Sequence, residues 1–289
     1  MERPAWFDEA LACVPEHASV EVDGARIAYR AWGPADAPVT VLVHGGAAHA
    51  GWWDHVGPLL DAPSSPHRVV ALDLSGHGDS DHRDAYTLET WAHEVVAVAA
   101  DQLSPSPPVV VGHSMGGFVA LTAARDHGAS LAGAVAVDSP VQEMSSETRA
   151  WVASGRGLPP QKVYPDLPTI LSRFRTLPAD DATLDYVHEH VARTSVREVE
   201  GGWRWKFDPR IFLRSRMEPE ELAEADCPVA LLRGDRGMAT TDITDTVAAR
   251  LGGNVPVTVV RDSGHHVMLD QPLVLAAVVQ AITGEWRRP

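Results

Sequence analysis

Residues 109–117 read VVVGHSMGG, an apolar run that ends in a serine between glycines. Within it, the stretch from Gly112 to Gly116 matches the pattern G-x-S-x-G. In this pattern the serine occupies a sharp turn between a strand and a helix, and the glycines make room for the crowded backbone. The context fits, because apolar residues with helical spacing follow at 115–128. We therefore predict that Ser114 is a nucleophile at the end of a buried strand.

The remainder of the chain alternates similar apolar runs with helical segments. The runs are VTVLVHG, RVVALDL, LAGAVAVDS, CPVALLRGD and PVTVVRDSG, and such continuous apolarity is typical of strands buried on both faces of a parallel sheet. Helical spacing covers 87–103, 241–252 and 271–286. Before them, Asp23-Gly24 joins two alternating segments and predicts a hairpin. This order predicts a doubly wound α/β sheet.

One segment, 141–216, interrupts the alternation, since it has no convincing buried strand and reads as helices and loops. We predict a core domain of 1–140 and 217–289 and treat 141–216 as an insertion, called the cap below. The cap holds 12 of the 24 basic and 10 of the 39 acidic residues, so its charge is +2 against −17 for the rest. It could dock on the acidic core or attract anionic substrates. The same alternatives apply to Arg173 and Arg175, as salt-bridge partners or as carboxylate ligands.

Composition excludes several classes of protein. A net charge of −15 disfavours nucleic acid as a partner, and no apolar run is long enough to span a membrane. Two distant cysteines and no clustered ligand spacing among the 14 histidines predict no disulfide and no metal. No phosphate-binding glycine loop follows a strand, so we expect no cofactor. The amino terminus does not resemble a signal peptide, and we expect a cytoplasmic location.

A serine needs a base, and the segment SGHHVMLDQP places His265 just after the last predicted strand. Loops at the carboxyl ends of parallel strands meet at one edge of the sheet, where His265 can reach Ser114.

Together, VLVHGG, LDLSGHGDS, VGHSMGG and SGHHVMLDQP resemble the α/β-hydrolase superfamily over about residues 18–288. The resemblance implies an eight-stranded, mostly parallel sheet with helices on both faces and a helical cap after the sixth strand. It also implies that Ser114 is the nucleophile and His265 the general base, with His266 as the rival that more plausibly packs beside it.

The resemblance further implies an oxyanion hole built from two backbone N–H groups. Met115, directly after the nucleophile, should supply one of them. Gly46, in the loop after VLVHGG, should supply the other, with Ala47 as the fallback.

The acid that orients the histidine has two candidates. Relatives usually place it three residues beyond the glycine that ends the seventh strand, but here that position is Gly237. Some relatives supply it at the end of the sixth strand, where AVAVDSP ends in Asp138, 24 residues beyond Ser114. A buried carboxylate at that strand end would need a partner such as an imidazole N–H. We therefore favour Asp138 and keep Asp235 as the alternative.

Five tryptophans lie where a substrate cleft is expected, and we predict an apolar pocket lined by Trp52, Trp53, Trp151, Trp203 and Trp205. The predicted function is a cofactor-independent serine hydrolase that cleaves a small or medium apolar ester, thioester or lactone through an acyl-enzyme. On the same fold, the alternatives are a cofactor-less oxygenase, a haloperoxidase-like enzyme, a C–C bond hydrolase or a ligand receptor without turnover. The sequence does not indicate the oligomeric state.

Overall fold

A computed structural model describes residues 3–61, 66–154, 160–213 and 217–287, without the side chains of 151–153. Its main sheet has eight strands in the order β1-β2-β4-β3-β5-β6-β9-β10. Their bounds are β1 Glu16–Val22, β2 Ala25–Trp32, β3 Val39–Val43, β4 Arg68–Leu72, β5 Val109–His113, β6 Gly133–Val137, β9 Val229–Gly234 and β10 Val257–Val260. Strands β7 Val196–Val199 and β8 Gly202–Trp205 form a separate pair.

The direction of the strands follows from the connections between them. Strands β1 and β2 are antiparallel across the predicted turn, where Asp23 and Gly24 have φ angles of 48° and 74°. Strand β2 also pairs antiparallel with β4, and the remaining neighbours in the sheet are parallel. The parallel pairs need crossover connections, which the intervening helices supply. The predicted eight-stranded, mostly parallel sheet is confirmed.

Helices cover both faces of the sheet, because its central strands are apolar on both sides. Successive residues of β3 show this, since Val41 belongs to one buried cluster and Leu42 to the other. One cluster includes side chains of helices α3 (Leu88–Ala100) and α4 (Met115–His127), and the other includes side chains of helix α10 (Pro272–Trp286). The helices of the core are α1 Ala5–Ala12, α2 Gly57–Leu60, α3 Leu88–Ala100, α4 Met115–His127, α8 Thr241–Arg250, α9 Val267–Asp270 and α10 Pro272–Trp286. No described helix is long and apolar enough to cross a membrane.

The described part of the cap contains the α-helices α5 Ser146–Ala153, α6 Leu167–Leu171 and α7 Asp185–Thr194, and also the hairpin of β7 and β8. The prediction of helices and loops alone was therefore wrong. These strands are only four residues long and alternate partly buried with exposed side chains, so they lack the continuous apolar run that identified the core strands. The boundaries at 141 and 216 stay a prediction.

Backbone hydrogen bonds join the cap to the core on two sides. On one side, the Leu184 N–H donates to the carbonyl of Leu269 over 3.1 Å. On the other, the Gly78 N–H donates to the carbonyl of Lys206 over 2.8 Å. The cap is thus held at both the α9 region and the loop after β4.

His55 is a fully buried histidine that links the segment before α2 to α9. Its Nε2–H donates to the carbonyl of Met268 over 2.7 Å. Burial lowers the pKa of His55 from 6.5 to about 4, so the ring is neutral in the folded protein at neutral pH. In the unfolded chain it titrates near 6.5, so the folded state loses stability as the pH falls from 6.5 towards 4.

We expect His55→Gln to reduce the acid sensitivity of the fold, because glutamine keeps an N–H donor and does not titrate. Between pH 7 and pH 5, the free energy of unfolding should fall by about 2 kcal/mol less in the variant than in the wild type. Urea unfolding at the two pH values measures this difference. An identical fall in both proteins would contradict the assignment of a neutral, buried His55.

Candidate active site

Ser114 lies in the turn between β5 and α4 and has φ 53° and ψ −115°, outside the favoured regions for a residue with a side chain. Glycine is required two residues before and two residues after Ser114, because neither position has room for a Cβ atom. A Cβ atom on Gly112 would lie 1.9 Å from the carbonyl oxygen of Gly116, and one on Gly116 would lie 2.4 Å from the carbonyl oxygen of Val43. The G-x-S-x-G pattern therefore reflects a turn in which α4 crosses directly over β3 and β5.

His265 lies in the loop between β10 and α9, and both of its ring nitrogens are hydrogen bonded. The Nδ1–H donates to Oδ2 of Asp138 over 2.5 Å. That direction leaves the lone pair on Nε2, which lies 3.0 Å from Oγ of Ser114 and accepts its hydroxyl proton. The structure thus brings a serine, a histidine and an aspartate into one chain of hydrogen bonds.

Asp138 follows β6 and is fully buried, with a φ angle of 44°. Besides His265, its carboxylate accepts the N–H groups of Met238, over 2.8 Å, and of Gly234, over 3.3 Å. These donors compensate a carboxylate that burial would otherwise make costly. The imidazole of His265 is therefore a hydrogen-bond partner of this buried carboxylate.

The alternative acid, Asp235, faces elsewhere. Its two carboxylate oxygens accept the N–H groups of Ser263 and Asp262, over 3.1 and 3.0 Å, and these bonds hold its pKa below the usual value. No hydrogen bond joins Asp235 to His265 in the described structure. The structure therefore favours Asp138 over Asp235 as the partner of the histidine.

Gly237 occupies the position where relatives usually carry the acid, and its absence of a side chain has a steric cause. A Cβ atom there would lie 1.9 Å from Oδ1 of Asp138. The carboxylate that arrives from β6 fills the space that a side chain from the loop after β9 would need. An acid from one strand end thus excludes a side chain at the other.

His266, the rival base, packs beside the hydrogen-bonded histidine. Its ring centroid is 4.8 Å from that of His265 and 5.6 Å from that of Trp52. Neither ring nitrogen forms a well-aligned hydrogen bond to a described residue, although the backbone of Leu177 lies close. Burial, with a contribution from His265, lowers the pKa of His266 to about 3. His266 is therefore a neutral residue of the cavity wall.

A second serine–histidine contact joins Ser195 of the cap to His49 of the core, over 3.1 Å. Here the ring nitrogen Nδ1 of His49 accepts the Gly51 N–H, so Nε2 carries the proton and donates it to Oγ of Ser195. The Ser195 hydroxyl itself donates to the carbonyl of Val191 over 2.7 Å. His49 has no free lone pair for the serine proton, so this pair binds the cap to the core and cannot act as base and nucleophile.

The loop after β3 runs beside the serine turn, as an oxyanion hole requires. A Cβ atom on Gly45 would lie 3.4 Å from Cβ of Ser114, and one on Gly46 would lie 3.7 Å from Sδ of Met115. No described carbonyl accepts the N–H of Met115 or of Gly46. Ala47, the fallback donor, has a φ angle of 58° and lines the cavity that opens above Ser114. Gly46 and Met115 stay the predicted donors.

A cavity of about 740 Å³ opens above Ser114 and His265, between the core and the cap. Its size is in the range of small-molecule sites. Trp52 and Trp205 are among the residues that line it. Trp53 does not appear among its described lining residues, because it is turned into the core with 1% of its surface exposed.

Two further predicted wall residues have other outcomes. Trp203 pairs with Tyr164 through backbone hydrogen bonds and, unlike Trp205, does not appear among the described lining residues. The Trp151 side chain lies outside the described residues.

Sequence reasoning missed Phe174 and Phe207, which also line the cavity. Phe174 contacts Trp52 and Trp205, with ring centroids 6.3 and 6.0 Å apart. Phe207 could have been found, because it continues the spacing of two residues that begins at Trp203 and Trp205. Phe174 has no comparable signal in its own segment.

One group of described side chains could hold a metal ion, because ring nitrogens of His113, His265 and His266 lie within 4.8 Å of one another. Two of these rings are already engaged. His265 bonds Ser114 and Asp138, and Nε2–H of His113 donates to the carbonyl of His265 over 2.9 Å. A zinc ion needs nitrogen ligands at about 2.0–2.1 Å and would have to break these contacts. The absence of a metal stays a prediction.

Comparison with known proteins places this architecture in a family. A model described as the alpha/beta hydrolase family matches residues 40–278. An esterase of Mycobacterium tuberculosis is 30% identical over 278 residues, which cover 93% of this chain and 89% of the esterase. A lipase of the same organism is 27% identical over 261 residues, covering 88% of this chain and 96% of the lipase. The chain belongs to the α/β-hydrolase family.

Solved structures agree on the fold. A thioesterase domain from the curacin biosynthetic pathway superposes with a TM-score of 0.77 and covers 92% of this chain and 99% of its own, at 23% identity. At that identity the likeness shows the fold alone. The predicted class of enzyme, a hydrolase of ester bonds, is confirmed by the esterase and lipase relatives.

We expect Gly237→Ala to displace the Asp138 carboxylate from His265 and to destabilise the fold, because three hydrogen bonds fix that carboxylate. The free energy of unfolding should fall by about 1–3 kcal/mol. Gly284→Ala in α10 is the control, since no atom lies within 4 Å of its Cβ position and its φ is ordinary. Equal unfolding free energies for Gly237→Ala and the wild type would contradict the steric argument.

Proposed function

We propose that this hydrolase cleaves its ester through a covalent acyl-enzyme on Ser114, without a cofactor. The observation that carries the proposal is the hydrogen-bonded chain from Ser114 through His265 to Asp138. In the first step, Oγ of Ser114 attacks the carbonyl carbon while its proton moves to Nε2 of His265. The carbonyl π electrons move to oxygen and form a tetrahedral oxyanion.

Collapse of this intermediate forms the acyl-enzyme. The bond to the alcohol or thiol breaks, and the leaving oxygen or sulfur takes the proton from Nε2. Water then gives a proton to Nε2 and attacks the acyl carbon. When the second tetrahedral intermediate collapses, Oγ of Ser114 leaves and takes the proton back, and the acid product is released.

The N–H groups of Met115 and Gly46 are the proposed donors to the oxyanion. Both lie at the serine turn, and neither is used by a described carbonyl. The amino end of α4 begins at Met115 and adds a favourable dipole for negative charge. Donors fixed before the reaction stabilise the transition state without a reorganisation cost.

Asp138 holds His265 in the tautomer that the mechanism needs and stabilises the imidazolium that forms. Because the Asp138 carboxylate is fixed by backbone N–H groups, the ring orientation is fixed as well. The substrate class that fits is a small or medium ester, thioester or lactone with an apolar acyl group, since aromatic and aliphatic side chains form most of the cavity wall.

Ser114→Ala should lower kcat for p-nitrophenyl butyrate by on the order of ten thousand-fold or more, because the nucleophile and base act as a unit. Release of p-nitrophenol measures this. Ser195→Ala is the matched control, since that hydroxyl already donates to Val191 and should leave the chemical step intact. Covalent labelling by a fluorophosphonate should be lost in Ser114→Ala and kept in Ser195→Ala.

An unlabelled wild type with no ester turnover would instead favour a ligand receptor on this fold. Labelling that persists in Ser114→Ala would mean that another residue is the nucleophile. Either result would remove the proposed mechanism.

The identity of the acid can be tested by moving it. Asp138→Gly should lower kcat by roughly a thousand-fold or more, because His265 loses its orienting partner. Adding Gly237→Asp builds the side chain into the space that the Asp138 carboxylate leaves, and the backbone there has no positive φ to oppose it. We expect the double variant to recover at least about tenfold of the lost kcat.

A double variant no more active than Asp138→Gly would contradict the shared space of the two positions. A fully active Asp138→Gly would contradict Asp138 as the acid. Asp235→Asn is the control for the alternative and should keep most of the activity, because its carboxylate bonds backbone groups away from the imidazole.

A further inference from the structure

Two arginines of the cap line the cavity above Ser114. Arg173 and Arg175 lie on either side of Phe174, in the segment that follows α6. Phe174 is buried and packs against Trp52 and Trp205, so this segment is anchored at the cavity wall. No aspartate or glutamate appears among the described residues that line the same cavity. Apart from the histidines and the phenol of Tyr164, the arginines are the ionisable groups of that described lining, and they are its permanently charged groups at neutral pH.

Arg173 and Arg175 also lack the salt bridges that other basic residues of the cap form. Other basic residues of the cap pair with acids, among them Arg149 with Glu218, Arg193 with Glu189 and Lys206 with Asp79. No described carboxylate pairs with Arg173 or Arg175, so of the two alternatives for this pair the described contacts favour a carboxylate ligand over a salt bridge.

The contacts that the two guanidinium groups do make leave most of their donors available. Arg175 donates from Nη1 to the backbone carbonyls of Ser172 and Phe174. These are neutral acceptors and do not neutralise the charge. Arg173 has no hydrogen bond to a described residue. A guanidinium offers five N–H donors in a planar fork that matches a carboxylate or a phosphate.

We propose that Arg173 and Arg175 bind an anionic group of the substrate, so that the enzyme acts on esters or thioesters that carry a carboxylate or phosphate away from the scissile bond. This inference rests on the proposed function. It assigns the apolar wall of the cavity to the acyl or alcohol chain and the arginines to its charged end.

The negative net charge of the chain makes Arg173 and Arg175 important for attracting an anionic substrate. A chain with a charge of −15 repels an anionic ligand, and two positive charges without a described carboxylate partner offset that repulsion at the cavity. Hydrogen bonds to charged groups contribute more than neutral ones. Because both side chains are exposed, screening reduces the gain, and we expect about a tenfold effect for each arginine.

The test compares matched pairs of substrates that differ in one anionic group. p-Nitrophenyl hydrogen adipate and p-nitrophenyl methyl adipate differ by a carboxylate on the acyl side. S-butyryl-4′-phosphopantetheine and S-butyryl-pantetheine differ by a single phosphate on the leaving side. The readout is the ratio of kcat/KM for the anionic over the neutral member. In Arg173→Gln and Arg175→Gln this ratio should fall about tenfold, mainly through KM, and by more in the double variant.

Arg193→Gln removes a cap charge that is paired with Glu189, away from the described cavity lining, and should keep the wild-type ratios. A loss confined to the adipate pair identifies a carboxylate ligand, and a loss confined to the thioester pair identifies a phosphate ligand. Both support the proposal. Ratios that stay equal in wild type and arginine variants, or fall equally in Arg193→Gln, overturn it.

Failure of the proposed function has a different signature, because no substrate of either pair would be turned over and the Ser114→Ala variant would match the wild type. In that case, calorimetric titration with the two adipate esters still decides the inference. Preferential binding of the hydrogen adipate that weakens in Arg173→Gln supports the arginine site. Equal binding of both esters, or no change in the variant, overturns it.

Discussion

The close crossing of three backbone segments at Ser114 is the constraint on which the rest of the site depends. Helix α4 begins so near to β5 and β3 that Gly112 and Gly116 have no room for a Cβ atom. The backbone of Ser114 is forced into a strained conformation. Its hydroxyl lies at the edge of the sheet where β6 and β10 end and the loops that carry Asp138 and His265 begin. Such strain persists only where the surrounding structure overdetermines it, and the fully buried central strands provide that support.

Asp138 connects the ends of neighbouring strands through its hydrogen bonds. A carboxylate with no exposed surface would be costly alone, and it is compensated by backbone N–H groups from β9 and its following loop and by the imidazole after β10. The same contacts that stabilise the charge hold the end of β6 against the elements that carry His265. Electrostatic stabilisation and orientation of the histidine are therefore one interaction, and a side chain at Gly237 is incompatible with it.

The sequence predicted the parts of this site whose signal is local. The glycines around Ser114 and the histidine after the last strand are each visible in a few residues, because a tight turn and a strand end leave a local signature. The sequence favours Asp138 as the acid but keeps Asp235 as an alternative, since both follow apolar runs and only the fold decides which carboxylate faces the ring. Trp52 and Trp53 show the same limit. They are adjacent, yet one lines the cavity and the other packs in the core.

The origin of the cavity wall suggests why mechanism and selectivity are separable in this chain. The reacting groups come from the strand ends of the core, whereas Tyr164, Phe174, Trp205, Phe207 and the two arginines come from the cap. The contacts of the cap with the core include backbone hydrogen bonds, the ion pair of Lys206 with Asp79 and the contact of Ser195 with His49, and none of these involves the serine–histidine–aspartate chain. Substitutions at sites without shared partners act nearly independently. A change of wall residue can therefore alter which substrate binds while the strained turn, its base and its acid remain as they are.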